Sequence, residues 1–417
     1  MNSFKGNLFN FLSYTVIGGM PLYYFFREYF SLSIYIYAIF LIALFCMCSW
    51  RLLSKAKYLE DLRSNGALIL EILILINIFL LLIFFGIKEL PLLLMIATLF
   101  ISKTIAFNQS AQGFSYSANL ISVASIICSI GILLGFLEVL FLNTHYFSQV
   151  MDFDYPYSNG MEQTTLINGF FSSANGSAYC LGAGLAFLGF QNLFTFNIKR
   201  LMYILLTTSL ILTMTKFAFL ILATSSVFLI LKRLSFKYLI LFLFGLVICY
   251  VFLSHIVIAA SGSYVYPSPH FREVLFSLGG LDFILGNYGA FKIYSIEAIV
   301  SSPFLPYGLN QFENTYDGRP HFMLGGLFIT GGLGLAMLVS MYIYVILKDN
   351  LKLKDNFKNP LVYFHKKKFF LVILFCFLVE TINWNFSNNF YFWFILMGVS
   401  SIGKFEEKEL DARSMTS

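Results

Sequence analysis

GALILEILILINIFLLLIFFG, residues 66–86, carries one carboxylate (Glu71) and one amide (Asn77) in an otherwise apolar run. Its length matches the roughly 20 residues a helix needs to cross the hydrocarbon core of a bilayer. Apolar side chains fall on every face of such a helix, so in water it would have no polar side to present. Working outward, the same ruler finds eleven further runs: 8–26, 29–50, 90–107, 118–142, 168–190, 200–215, 217–231, 238–258, 321–347, 369–385 and 386–402. The whole 417-residue chain shares this character, with 59% hydrophobic and 12% charged residues and a mean hydropathy of +0.79. A soluble domain has about a quarter of its residues charged. The composition therefore excludes a soluble enzyme or a nucleic-acid-binding module. It points to an all-α polytopic membrane protein with about 12 transmembrane helices, one integral membrane domain over residues 1–417.

Lysine and arginine orient that bundle, because cytoplasmic loops collect them. With both termini cytoplasmic, the inner segments hold Lys5, Arg51, Lys55, Lys57, Arg63, Lys199, Arg200, Lys232, Arg233 and Lys237. The lysine-rich stretch 348–368 and the C-terminal tail add the rest of that side. The outer segments keep only Arg27, Lys88, Lys216, Arg272, Lys292 and Arg319. Cys46, Cys48, Cys128, Cys180, Cys249 and Cys376 all fall in apolar runs with no histidine at ligand spacing, so neither a disulfide framework nor a metal site is expected. No small-x-small cleavage site follows the apolar stretch after Lys5, so the first helix is expected to be retained.

Two outer segments are long, 143–167 and 259–320. Long connections in compact proteins are usually functional or disordered. The second contains HFREVLFSLGGLDFIL (270–285) and FKIYSIEAIV (291–300), amphipathic patches expected to form short helices on the outer face. Its few cations stand out. Arg272 opens the first patch, and Arg319 lies in Gly318-Arg319-Pro320-His321, just before an apolar run. Proline suits a first helical turn, and the free N–H groups of a helix start favour an anion. Arginine grips phosphate with a two-point fork, whereas lysine acts as a point charge. Lys216, Arg272, Arg319 and that helix start would together bind a phosphate. The plainer alternatives are an Arg272–Glu273 pair, a turn role for Lys216 and a local hydrogen bond for His321. Glu71 and Glu138 read as interfacial, whereas Glu380, beside Asn383 and Asn385, would face a cavity at membrane depth.

Four stretches resemble the O-antigen polymerase and ligase superfamily of bacterial inner-membrane glycosyltransferases. Asn168-Gly-Phe-Phe-Ser-Ser-Ala-Asn175 is similar to a glycine-aromatic stretch followed by an Asn that opens a helix. Leu212-Thr213-Met214-Thr215-Lys216 resembles a helix ending in Thr-x-Ser-Arg, with Lys216 in place of the Arg. Arg272 opens the long loop, followed by Gly-rich segments at 279–289 and 303–310. Pro320-His321-Phe322 leads into Gly325-Gly326 and Gly331-Gly332-x-Gly334, although an Asn often follows the His in the family and here it is Phe322.

The resemblance implies a GT-C-like glycosyltransferase with one large periplasmic loop (259–320) carrying short helices. It would be a multi-pass protein of the bacterial inner membrane, with its site facing the periplasm. Its substrate would be an oligosaccharide on undecaprenyl diphosphate, transferred to a hydroxyl of another lipid-linked repeat unit without metal or other cofactor. Lys216, Arg272 and Arg319 would hold the diphosphate, His321 would be base or a further diphosphate ligand, and Asn175 and Glu380 would be polar groups of the cavity. A chain-length-regulating co-polymerase and membrane lipid are the implied partners, with no nucleic acid. Tyr264, Tyr266, Tyr288, Tyr294, Tyr307 and Tyr316 offer faces for sugars, or else interfacial anchors. Two alternatives stay open: a ligase that uses lipid A core as acceptor, and a lipid-linked oligosaccharide flippase or other transporter.

Overall fold

The computed structural model describes residues 2–29, 32–53, 66–85, 90–106, 111–142, 144, 146–153, 162–171, 173–230, 289–316, 320, 323–351, 361–381 and 389–399. Among them the chain is helical, with one antiparallel β-hairpin. Helices α1 (Asn2–Ser13) and α2 (Met20–Tyr29) are joined by a π turn at Tyr14–Gly18. Next come α3 (Leu32–Leu53), α4 (Gly66–Phe85), α5 (Leu90–Ala106) and α6 (Ala111–Leu137), the last running into a second π turn at Glu138–Leu142. The hairpin is β1 (Ser148–Phe153) and β2 (Glu162–Ile167). It is followed by α7 (Ala174–Leu188), α8 (Phe196–Leu212) and α9 (Lys216–Ile230). The remaining helices are α10 (Gly289–Ser301), α11 (Leu309–Tyr316), α12 (Met323–Leu351), α13 (Leu361–Glu380) and α14 (Phe390–Val399).

Every apolar run that falls within the described residues carries a helix. The run at 238–258 and the first patch of the long loop, 270–285, lie outside them. Phe114–Leu142 and Met323–Lys348 are long and apolar enough to cross a membrane by length and composition, which is compatible with a membrane protein. Large apolar side chains such as Ile39, Ile42, Phe79, Ile83, Leu201 and Ile204 stand exposed on other helices.

The segment 143–167 departs from an all-helical reading. Ser148 pairs with Ile167 and Phe153 with Glu162 across the hairpin. Glu138, expected at an interface, is buried and organises the approach to β1. Its carboxylate accepts the N–H groups of Tyr146 (2.5 Å) and Phe147 (2.8 Å) and the hydroxyl of Thr144 (2.8 Å). Helix α7 starts at residue 174, later than the 168–190 run implied. Gly169 takes a left-handed φ of 61°, and Ser173 caps the helix by accepting Gly176 N–H at 3.2 Å. A side chain at Gly169 would stand 2.8 Å from the backbone nitrogen of Ile132, so the glycine permits both the turn and the close approach.

The described chain divides into two compact units. One is drawn from 1–40, 118–278 and 364–376. In it α6 and α7 approach closely at Ser125 and Gly184, where an added Cβ would fall 2.1 Å from the serine oxygen. Small residues let helix backbones meet in this way. The Ser125 hydroxyl is itself turned inward, donating to the backbone carbonyls of Ile121 (2.7 Å) and Cys180 (2.9 Å).

The other unit is drawn from 41–117, 279–363 and 377–417. Here α4 packs along α12, with Gly334 facing Asn77, and α10 and α11 also lie against α12. Helix α12 is broken at Gly332, whose φ of 69° and ψ of −172° suit glycine alone. The Phe304 carbonyl sits 2.7 Å from where a Cβ on Gly332 would be.

Candidate functional site

Lys216 is the first residue of α9, and its side chain lies outside the described residues. The connection before it is tight. Met214 adopts a left-handed φ of 52°, an uncommon conformation for a residue with a side chain. Thr215 accepts the N–H of Ala218 at 3.1 Å and so caps the helix, while the Thr213 hydroxyl turns back to the Leu210 carbonyl at 2.7 Å. Lys216 thus begins a helix at its positive dipole end, where an anion is favoured and a cation is not.

Asn175 is half-buried in the first turn of α7. The rings of Tyr179 and Phe217 meet edge to face at 4.7 Å. One turn further on, Gly182 faces Phe217 and Ile221. Contacts that advance together along both helices mean that α7 and α9 run side by side in the same direction. Their starts, with Asn175 and Lys216, therefore lie at one end of the pair. Part of the Asn168–Asn175 motif serves packing: Phe170 lies against Gly131, and Phe171 is buried.

Arg272, Arg319 and His321 lie outside the described residues. Their neighbours are described. Pro320 is buried and is not itself helical, and α12 is described from Met323 onward. The Met323 N–H donates to the Thr381 carbonyl at 3.0 Å. One donor of the helix start is therefore already used, and fewer remain for an anion than the sequence implied. The same bond brings the end of α13, where Glu380 is buried at 8% exposure, to the helix start that His321 precedes by two residues.

Of the loop tyrosines, Tyr264, Tyr266 and Tyr288 fall outside the described residues. Tyr294 and Tyr316 stack on each other at 4.7 Å, and Phe312 leans on Tyr316 at 4.9 Å. Those faces are engaged in packing and are not presented as an open platform. Partial burial pushes the Tyr316 hydroxyl above its ordinary value of 10, with Tyr307 and Glu297 adding to the effect.

One constellation escaped the sequence reading. Glu71 of α4, expected at an interface, is buried and ion-paired with the buried Lys103 of α5. The Tyr342 hydroxyl of α12 donates to the other carboxylate oxygen and lies 3.7 Å from the Met397 sulfur of α14. Three helices of one unit thus meet at a single carboxylate, and α14 joins them through the Tyr342 hydroxyl. A buried pair of this kind is strongly destabilised when one partner is removed, because the remaining charge is left uncompensated. Among the described residues, no group of three His, Cys, Asp or Glu residues is arranged to hold a metal.

No protein-family model matches the chain, and no curated protein or solved structure matches it either.

Proposed function

We propose that the chain is a polymerase of lipid-linked oligosaccharide repeat units, a glycosyltransferase with about twelve spans and both termini in the cytoplasm. In this reading its site faces the periplasm of a bacterial inner membrane. The observation that supports it most is the paired start of α7 and α9, with Lys216 opening α9 after the strained Thr213–Thr215 turn. Two helix starts and a cation at one end of a helix pair form an environment that a diphosphate would stabilise. Lys216, Arg272 and Arg319 would hold the diphosphate, with Asn175 and Glu380 as polar groups of the cavity.

The reaction follows from that chemistry. The acceptor hydroxyl oxygen attacks the anomeric carbon of the donor sugar, forming the new glycosidic bond. The bond from that carbon to the diphosphate oxygen breaks, and its electron pair leaves with undecaprenyl diphosphate. His321 takes the proton of the acceptor hydroxyl if it is the base; in its other role it joins the cations on the leaving group. The cations offset the charge that develops on the departing oxygen, a contribution that is often the largest in catalysis.

The test uses purified protein in nanodiscs with a lipid-diphosphate-linked repeat unit as sole substrate, with chelator and without nucleotide sugar. A ladder of lengthening chains supports the polymerase. Transfer only after lipid A core is added moves the protein to the ligase, and no transfer under either condition overturns the glycosyltransferase reading. The broken α12 and the buried Glu71–Lys103 pair favour one second reading, a transporter, since discontinuous helices and intramembrane charges mark translocation pathways. Movement of the intact lipid-linked substrate between leaflets of a liposome, with no transfer, would decide for it.

A further inference from the structure

We propose that Glu71 is a proton-binding site, and that a proton on its carboxylate unlatches α5 from α4 and α12. This inference does not depend on the reaction the protein catalyses.

The closed arrangement fits an ionised carboxylate. One oxygen of Glu71 accepts from the Lys103 ammonium of α5, and the other accepts from the Tyr342 hydroxyl of α12. Glu71, Lys103 and Tyr342 are buried, at 5%, 4% and 1% exposure. Helix α14 approaches through Met397, 3.7 Å from the Tyr342 hydroxyl, and Trp393, whose ring lies 6.5 Å from that of Tyr342; neither side chain titrates. Helix α4 has no other ionisable residue, and α5 has no other charge. Further along α12, the Lys348 ammonium lies over the Tyr344 ring at 5.6 Å.

A proton on Glu71 is incompatible with those contacts. A protonated carboxyl turns one oxygen into an O–H donor, which then faces a lysine or tyrosine that is also a donor. It also loses its charge, so the Lys103 ammonium is left uncompensated in a buried site. Proton binding and the closed contact therefore exclude each other. The sign follows: the latch holds above the titration of Glu71 and is lost as pH falls through it.

Each released group has a second place to go. Lys103 stands in the last turn of α5, so its four-carbon stem can carry the ammonium past the helix end to water. The Tyr342 hydroxyl has the Met397 sulfur, a weak acceptor, within reach. Packing decides which element moves. Helix α4 lies along α12, and α10 and α11 also lie against α12, whereas the last turn of α5 meets that group through Lys103. Apolar residues of similar size would hold the helices together as well as a buried ion pair does. A carboxylate at membrane depth instead suits a contact that a proton must undo.

The experiment compares the full chain with Glu71→Gln and Tyr342→Phe in nanodiscs. As pH is lowered, the parent is expected to gain the infrared carbonyl band of a protonated carboxyl group that Glu71→Gln lacks. Tyr342→Phe, having lost one donor to the carboxylate, is expected to gain that band about one pH unit or more higher. At neutral pH, amide hydrogen exchange over 95–105 of α5 is expected to be about tenfold faster in Glu71→Gln than in the parent, with α4 and α12 unchanged. No such band while the parent stays folded would overturn the proposal, and so would a Tyr342→Phe titration that does not move. Exchange raised alike in all three helices, or in none, would also overturn it, because the pair would then hold the fold and release nothing. Where Glu71→Gln does not fold, Glu71→Gln combined with Lys103→Met strands no charge and serves as the spectral blank, and the Tyr342→Phe titration decides.

Discussion

Lys216 differs from the other predicted cations in that its backbone setting is known. If its charge engages the diphosphate, Lys216→Ala lowers polymer formation by about 10²–10³-fold, the loss typical of removing one charge-stabilising group. Lys216→Arg retains most of the activity, because the charge remains and a fork is gained. Arg272→Ala and His321→Ala each abolish the ladder while the protein still inserts, and normal ladders from both variants would remove the proposed site. Glu71 makes a different prediction. Glu71→Ala or Lys103→Ala strands a buried charge and costs about 3–5 kcal/mol, whereas Glu71→Leu combined with Lys103→Met costs far less. Thermal melts of the three variants in detergent measure the difference, and equal losses would mean that the pair is solvated.

At the scale of elements, glycines decide how closely helices and turns approach. Gly184→Ala places a Cβ 2.1 Å from the Ser125 oxygen and 2.4 Å from its Cβ, so it should lower the melting temperature, and Ser125→Gly should restore it. Gly332→Ala meets both a forbidden φ and the Phe304 carbonyl at 2.7 Å, and is expected to cost about 1–3 kcal/mol from conformation alone. Gly334→Ala, facing the Asn77 amide at 3.2 Å, should cost less, since a side chain can shift where a backbone carbonyl cannot. Comparing the two melts checks this ranking. The helices themselves were legible, because a run of roughly 20 apolar residues has few alternatives to a helix. The β-hairpin was overlooked, although Asn159-Gly160 between 148–153 and 162–167 is a strong turn signal. The break in α12 was marked by Gly331-Gly332 in sequence, but only the Phe304–Pro306 turn lodged against it explains why glycine is required there.

At the scale of the whole molecule, the composition makes a direct prediction. The protein should stay with the membrane pellet through an alkaline carbonate wash, and reporters fused at either terminus should both read cytoplasmic; release into the wash would end the membrane reading. The length of apolar runs was enough to place the helices of the described residues, because it is a local chain property measured against a slab of known thickness; the bias of lysine and arginine yields the orientation that the terminal reporters test. The sparse outer cations nominated Lys216, and the resemblance carried by residues 168–175 nominated Asn175. They were not enough to show that these residues open neighbouring parallel helices, that Glu380 ends against the start of α12, or that Glu71 meets Lys103 and, 271 positions away, Tyr342. Those meetings depend on which helix faces which, and a helix that is apolar on every side carries no stripe in its sequence to say so. Only packing decided them, because small residues set how near two backbones come and buried polar groups must find one another once no water is left to bond them.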